Sequence, residues 1–574
     1  MIKNNYEHYW LHKAKILEWE NFPKKSVSRK KTSIHWYSDG KINIFKNCIL
    51  KNIKNGFKNK TAIIYLDENK KVKKFTYNEI LFEINRFCDF LKNIRAKNNI
   101  TKIMLHASAS IDTSIVMLAC AKLGIHFCVI FKELEIEAIN KRVKLFKPDL
   151  LISEKNSKFF LNKIDKKILI KNLYQYKKNK GSFETSYKSV AGDKDFFTLF
   201  TSGSTGMPKG IVHSTGGYMT FITHGCKEKF GINKNSIMLA ASDAGWINGH
   251  TYALFGPLFF GATTVLLKSP MLLTDINLVK KVLSFKISIF YLPVTLIKLM
   301  RQLYANNKFK TLKNLTLGSM GEPLAPDVAK WFVKTFGQSN QSIVNTYFQT
   351  ETAGIISSHR YDQKIKNKFY GSVGQTVSKY IKFEKINKTK KYELKLKYPW
   401  PGQMKRILNG TKQWNKYFDE KKNFRLFDLA TIEEGHIFIH GRTDDVINIR
   451  GHRIGSGEIE AIILKCRDIT EVAAVAVKDL LEGFVLYVFV GTKFKKKTIL
   501  EKKIVKMIND NFGSYAIPKK IIFLKELPRT RSGKILRRLL RDILENKNYK
   551  MKDLSTLLNK NIIKEIDKEI NKVL

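Results

Sequence analysis

Cysteine is sparse in this chain: six residues, Cys48, Cys88, Cys120, Cys128, Cys226 and Cys466, among 574. None form a C-x-x-C pair. Several lie in apolar runs, which reads as buried, reduced thiols in a cytoplasmic protein. Arginine is also short, at 17 of 103 basic residues. Arginine is the residue of choice for phosphate forks and base edges, so a basic surface poor in it argues against sequence-specific nucleic-acid reading. Acidic residues number 50, leaving a net charge of +53. Lysine, asparagine and isoleucine are abundant together, a bias that an AT-rich coding sequence explains at least as well as a nucleic-acid site. A surface of that sign steers anionic small molecules toward the protein. Long apolar runs are missing too. The longest, Tyr252 to Leu267, is broken by Pro257 and two glycines. It is short of the roughly 20 residues that a spanning helix needs. It reads as core, and no membrane partner is expected. Residues 1–20 have no signal-peptide core.

What is present points to a two-domain α/β enzyme. The length exceeds one core, and the apolar fraction of 44% is ordinary. Ile103 to Leu105, Phe127 to Phe131 and Leu150 to Ile152 are short apolar runs separated by helical patterns, the signature of a parallel sheet. After Phe75-Thr76-Tyr77, Thr76 caps a helix reaching Leu91, with Leu81, Ile84, Phe87 and Leu91 on one face. Tyr9-Trp10 to Trp19 reads as a helix packed on the main body. Lys166 to Lys180 reads as a solvated loop, and Asp553 to Leu574 as a terminal amphipathic helix. There are no internal repeats.

The chemistry is concentrated in a few stretches. Thr201-Ser202-Gly203-Ser204-Thr205-Gly206-Met207-Pro208-Lys209-Gly210 follows the strand-like run Phe196 to Phe200. Its glycines let backbone N–H groups approach an anion, its hydroxyls add donors and Lys209 adds a point charge. This suits nucleotide phosphates, although the P-loop spacing is absent. Further on come Gly245-Trp246-Ile247-Asn248-Gly249-His250, Gly318-Ser319-Met320-Gly321-Glu322-Pro323 and Asn345-Thr346-Tyr347-Phe348-Gln349-Thr350-Glu351. Gly441-Arg442-Thr443-Asp444-Asp445 with Arg453, and Arg531-Ser532-Gly533-Lys534 complete the set, while Tyr398-Pro399-Trp400-Pro401-Gly402 reads as a structural motif.

Together these stretches resemble the acyl-adenylate-forming superfamily, and most closely its branch of acetyl-CoA synthetases and short-chain relatives. The resemblance covers nearly the whole chain. It implies a large N-terminal adenylation domain of mixed and parallel sheets with helices, residues 1–441. A small mobile α+β domain, residues 442–574, would follow. It implies ATP, Mg²⁺ and coenzyme A as reactants beside a short carboxylate. Thr201, Ser202, Gly203, Ser204, Thr205, Gly206 and Lys209 would bind the phosphates. Gly321, Glu322 and Pro323 would carry the adenine, with Asn345, Thr346, Tyr347, Phe348, Gln349 and Thr350 around the base and α-phosphate. Glu351 would hold the metal, since a hard cation takes carboxylate oxygen together with phosphate oxygens. Asp428 would accept the ribose hydroxyls, with Arg442 and Arg453 nearby. Where the family reads Thr-Gly-Asp, this chain reads Leu426-Phe427-Asp428. Asp444 would be the hinge and Lys534 the catalytic lysine.

The same resemblance puts Ile247, Asn248, Met320 and Phe348 around the acyl group. Acetate-specific relatives have tryptophan at the Phe348 position and valines and a threonine at the others. The implied substrate is acetate, propionate or a slightly larger acid, hydroxylated or not; a buried Asn248 amide would need a partner. Coenzyme A is the implied acceptor. Asn509 stands where the family has a CoA-contacting arginine, Arg450 replaces a serine near the pantetheine, and Cys466 replaces a histidine. A carrier-protein thiol or an amine is therefore the alternative acceptor, and a catalytically degenerate scaffold is the non-enzymatic alternative.

Overall fold

The structure is a computed structural model. It describes residues 2–572 apart from 31–32, 96–98, 135, 161–163, 166, 202–207, 305–306, 308, 310–311, 313, 339–342, 382–391, 409, 443–445, 450–451, 467, 480–482, 513, 531–534, 546–556 and 559–560. The chain forms two compact units. The first comprises Met1–Phe383, Lys395–Arg425 and Ile432–Phe438; the second comprises Glu384–Leu394, Leu426–Thr431 and Ile439–Leu574.

The first unit is built on two seven-stranded sheets. One runs in the order Leu169–Asn172, Leu150–Ser153, Lys102–His106, His126–Ile130, Asp195–Thr201, Lys209–Ser214 and Arg406–Ile407. Its first five strands are parallel and the last two antiparallel. The other runs Ile343–Asn345, Thr316–Met320, Ile289–Pro293, Ile237–Ala240, Thr263–Leu267, Thr61–Leu66 and Val72–Thr76. Only its final pair is antiparallel. The parallel strands are nearly continuous apolar runs, such as His-Phe-Cys-Val-Ile over His126–Ile130, because helices cover both faces.

Between the sheets lies the helix Ile111–Leu123, apolar almost all round and buried along its length. Ser110 caps it by accepting the Thr113 N–H, and Gly124, at φ +64°, ends it in the left-handed conformation. Its residues share one apolar cluster with Ile103 and Phe127 of the first sheet and Met238 and Tyr291 of the second. The helix Tyr77–Arg95 opens as the sequence indicates. The Thr76 N–H and hydroxyl donate to Glu79, whose own N–H donates back to Thr76, closing a capping box. Leu81, Ile84, Phe87 and Leu91 are buried. The N-terminal helix Ile2–Ala14 buries Tyr6, Trp10 and Ala14. Trp19 instead begins the strand Trp19–Asn21.

Two expectations need correction. Lys166 to Lys180 is not simply a solvated loop: Leu169–Asn172 pairs in parallel with Leu150–Ser153, and a 3-10 turn over Leu173–Lys178 buries Leu173 and Tyr176. The Tyr176 hydroxyl donates to Asp112, 64 positions away. Dense lysine conceals an apolar set that only tertiary contact reveals. The terminal helix spans Ile562–Asn571, later than expected, because Leu557 is bridged to Thr530 instead. All six cysteines are buried, and none is in a disulfide. Among the described residues no helix is long and apolar enough to cross a membrane.

The second unit centres on the strands Glu471–Asp479, Gly483–Gly491 and Lys520–Leu524, antiparallel and then parallel. Alternation sorts its two faces. Val472, Ala474 and Ala476 pack with Ile459 and Ile504, and Ala473, Val475 and Val477 pack with Leu540, Ile566 and Ile570.

Candidate active site

Ligands of open α/β sheets gather at the carboxyl ends of strands. Thr201, Met320 and Asn345 are each the last residue of their strand. Beyond Met320 the chain turns through Gly321 at φ +92°, with open space where a Cβ would stand. Glu322 follows, its carboxylate 3.5 Å from the Lys298 ammonium. Ser202, Gly203, Ser204, Thr205 and Gly206 lie outside the described residues, as do Asp444 and Lys534. Lys209 is described: it opens the strand Lys209–Ser214.

The stretch from Asn345 to Ala353 is held by side chains rather than by a sheet. Ser319 donates to the Asn345 side-chain oxygen at 2.9 Å, and the Asn345 amide donates to the Ser372 carbonyl at 2.9 Å. Thr346 donates to the Ser319 carbonyl at 2.8 Å and meets the Tyr291 hydroxyl at 2.7 Å. Tyr347 is buried and bridged to Ser357. The turn Thr350–Thr352 is capped by Gln349, whose N–H donates to the Thr352 hydroxyl at 2.9 Å. Ala353 then adopts φ +65°, an unfavourable conformation for a residue with a Cβ. It reverses the chain immediately after Glu351 and Thr352.

Glu351 faces a partner that sequence reasoning did not single out. The Tyr417 hydroxyl donates to Glu351 Oε1 at 2.7 Å, and Lys209 Nζ lies 3.4 Å from that hydroxyl and 5.3 Å from the ring centroid. Tyr417 is buried, and its ring stacks on Phe424 at 5.5 Å. Phe424 meets Trp400 edge-on at 5.2 Å, and the Trp400 indole N–H donates to the Thr352 carbonyl at 3.5 Å. Trp400 is therefore structural, as its motif suggests. Gly402 beside it is obligatory in the present packing: a Cβ there would lie 2.3 Å from Phe221. His213 was also unassigned. It points inward from Lys209–Ser214, and its Nε2 meets the Thr350 carbonyl at 2.7 Å. Burial pulls its pKa down to about 4, so it is a neutral donor.

A second wall is the helical run beginning at Ile247, which packs against Phe348, Ala353 and Ile355. Ile247 and Met320 are buried and Phe348 is half-buried, all in or against one apolar cluster. Tyr252 lies edge-on to Phe348 at 5.6 Å and receives the Ile355 N–H, while Thr251 donates to the Ala353 carbonyl. These contacts tie the two walls together. Two polar atoms here have no partner among the described residues: Asn248 Oδ1 and His250 Nδ1, both buried. His250 Nε2 meets the Ala244 carbonyl at 2.9 Å, and burial draws its pKa down to about 3.

Asp428, Arg442 and Arg453 belong to the second unit. Asp428 is buried on Phe424–Glu433. Phe427, immediately before it, has φ +58°. The backbone keeps a conformation that favours glycine although the residue is phenylalanine. Arg442 ends the strand His436–Arg442, and Arg453 pairs with Asn448 across a two-stranded ribbon.

Lys209, Tyr417 and the capped Thr350–Thr352 turn thus meet in the first unit, and the run beginning at Ile247 packs against Phe348 beside them. The chain belongs to the AMP-binding enzyme family, whose description matches residues 50–391. Residues 458–534 match the AMP-binding enzyme C-terminal domain, and residues 2–48 match the acetyl-coenzyme A synthetase N-terminus. Among individual proteins, the chain is 32% identical to the acetyl-coenzyme A synthetase of Helicobacter pylori (strain P12), over 98% of this chain and 93% of that protein. It is 30% identical to the acetyl-coenzyme A synthetase of Bdellovibrio bacteriovorus, over 100% of this chain and 95% of that one. The fold is similar to that of the acetoacetyl-CoA synthetase from Streptomyces lividans, with a TM-score of 0.83, 16% identity and coverage of 100% and 93% of the two chains. It is also similar to that of the anthranilate CoA ligase AuaEII in complex with anthranoyl-AMP, with a TM-score of 0.76, 19% identity and coverage of 88% and 98%.

Proposed function

We propose that the chain activates a short-chain carboxylate with ATP, forming acyl-AMP and pyrophosphate, and then passes the acyl group to the thiol of coenzyme A with release of AMP. The observation that carries this reading is full-length similarity, at about 30% identity, to proteins named acetyl-coenzyme A synthetase. A carboxylate is a poor acylating agent because oxide is a poor leaving group. Attack on the α-phosphorus of ATP converts that oxide into part of AMP. Such transfer needs in-line positioning and neutralised charge. In this reading Lys209 and the loop before it bind phosphate oxygens, and Thr350 reaches the α-phosphate. Lys534 sits between carboxylate and triphosphate, where a cation lowers the transition state. Asp428, Arg442 and Arg453 bind the ribose and its phosphate.

The donor set fits a hard cation. Glu351 is half-buried, and among the described residues no ammonium or guanidinium lies within ion-pair distance of its carboxylate, in a chain of net charge +53. No cluster of three metal-ligating side chains occurs among the described residues, so phosphate oxygens would have to complete the shell. When bound, Mg²⁺ supplies neutralisation of the phosphate charge.

One position cannot present both Lys534 and an acceptor thiol. We therefore assign 1–441 to a fixed domain, 442–574 to a mobile one and Asp444 to the hinge between them. Ile247, Asn248, Met320 and Phe348 line the acyl group, and a cytoplasmic location accords with six buried thiols outside any disulfide. A carrier-protein thiol is the second acceptor reading. Asn509, exposed on Lys497–Phe512, favours it by offering no charge to CoA. Exchange of labelled pyrophosphate into ATP, run across two- to six-carbon acids, tests the first step. Exchange that Lys534→Ala abolishes supports the reading. A best substrate well beyond six carbons contradicts the short-chain assignment.

A further inference from the structure

We infer that Tyr417 is a positioning residue: its one hydroxyl sets the Glu351 carboxylate for a hard cation and parks the Lys209 ammonium beside it. The inference rests on the reading above, in which Glu351 holds the metal and Lys209 the phosphates. The geometry is compact. Lys209 Nζ donates toward the phenol oxygen at 3.4 Å, and the phenol O–H donates to Glu351 Oε1 at 2.7 Å. Lysine has no acceptor and carboxylate no donor, so the phenol is oriented unambiguously between them. Lys209 and Glu351 are thereby kept as separate charges joined by a neutral hydroxyl. A direct ion pair would have spent both groups on each other.

Glu351 is held at three points. Its backbone carbonyl receives the Met404 N–H at 2.9 Å, its turn is closed by the Gln349–Thr352 capping box, and Oε1 receives Tyr417. That leaves Oε2 as the carboxylate oxygen without a hydrogen bond or ion pair among the described residues. A carboxylate with one oxygen engaged and one open is arranged to ligate a cation through the open atom, with little rotamer freedom left to lose. Tyr417 itself is held by Phe424, which Trp400 meets edge-on from beyond, and by the Arg425 N–H donating to its carbonyl at 2.8 Å. The Trp400 indole returns to the Thr352 carbonyl, so the aromatic wall closes on the turn it supports.

The test uses the full chain, Mg²⁺ and the non-cleavable analogue α,β-methylene-ATP, with analogue binding measured by calorimetry at a series of Mg²⁺ concentrations. Tyr417→Phe keeps the ring, its stacking and its cation–π contact while deleting the hydroxyl. It should raise the Mg²⁺ concentration for half-maximal analogue binding roughly ten- to a hundred-fold, the scale of a hydrogen bond to a charged group. Glu351→Gln should show the same loss, and adding Tyr417→Phe to it should cause no further shift, because both act through one contact. Circular dichroism melting identifies any variant that is merely unfolded, and the Glu351→Gln pair supplies the comparison in that event. A Mg²⁺ dependence unchanged in Tyr417→Phe, or losses that add in the double variant, would overturn the inference while leaving the proposed function intact. Wild-type binding that does not depend on Mg²⁺ would overturn the metal reading and this inference with it.

Discussion

The two walls of the candidate site are built in opposite ways. Around Thr350–Thr352 the hydroxyls and amides of Thr346, Thr352, Asn345 and Tyr417 all have partners within about 3 Å. Around Ile247–His250 the helical backbone is regular, yet Asn248 Oδ1 and His250 Nδ1 are buried with none among the described residues. The first wall is pre-organised for charge. The second stores unsatisfied polarity, which costs stability until something supplies a partner. Stability and function are thus expected to respond with opposite sign on the two sides.

The largest effect should come from the satisfied wall. Glu351→Gln is expected to slow pyrophosphate release by about 10²-fold or more, the scale for losing a preorganised electrostatic group. It should leave the melting temperature close to wild type, since Glu351 has no buried ionic partner among the described residues to abandon. The next is acid instability. Burial lowers the His213 pKa from 6.5 to about 4, so the unfolded chain takes up this proton first as pH falls. The stability that neutral His213 contributes is whole above pH 6.5 and is lost progressively toward pH 4. A difference of that size corresponds to about 3 kcal/mol. His213→Gln should flatten the pH dependence of unfolding in that window by up to one proton. A slope unchanged from wild type would contradict the burial argument.

Smaller and more diagnostic is a pair of isosteric changes. Thr352→Val strips the hydroxyl that receives the Gln349 N–H and should cost about 1–3 kcal/mol in urea denaturation. Asn248→Leu removes an orphaned oxygen and should be neutral or stabilising by about 1 kcal/mol. If both destabilise equally, the contrast between the walls fails. Finally, Phe427 occupies φ +58°, which costs an L-residue about 1–2 kcal/mol. Phe427→Gly should therefore be at least as stable as Phe427→Ala, the reverse of the order expected at an ordinary strand position.

Much of this was legible in the residues themselves. Parallel strands appear as apolar runs because burial on both faces leaves no alternation to interrupt them, and the capping box at Thr76 needs only its own four residues. What stayed hidden depends on distance or on the wrong residue type. Leu173 and Tyr176 sit among lysines, and the hydroxyl that buries Tyr176 finds Asp112 only after folding. Tyr417 lies in a Lys- and Asn-rich helix end, more than 60 positions from Glu351, with nothing local to mark it. Leu426-Phe427-Asp428 carries no glycine to announce a positive φ, and only the backbone reveals that Phe427 adopts one.

The most direct test of the account is pyrophosphate release from ATP and Mg²⁺ by the full chain, across two- to six-carbon acids, with and without coenzyme A. The account predicts multiple turnovers that require coenzyme A and one preferred short acid. Release that stops near one equivalent whether or not coenzyme A is present would contradict it and identify an adenylate held for a different acceptor.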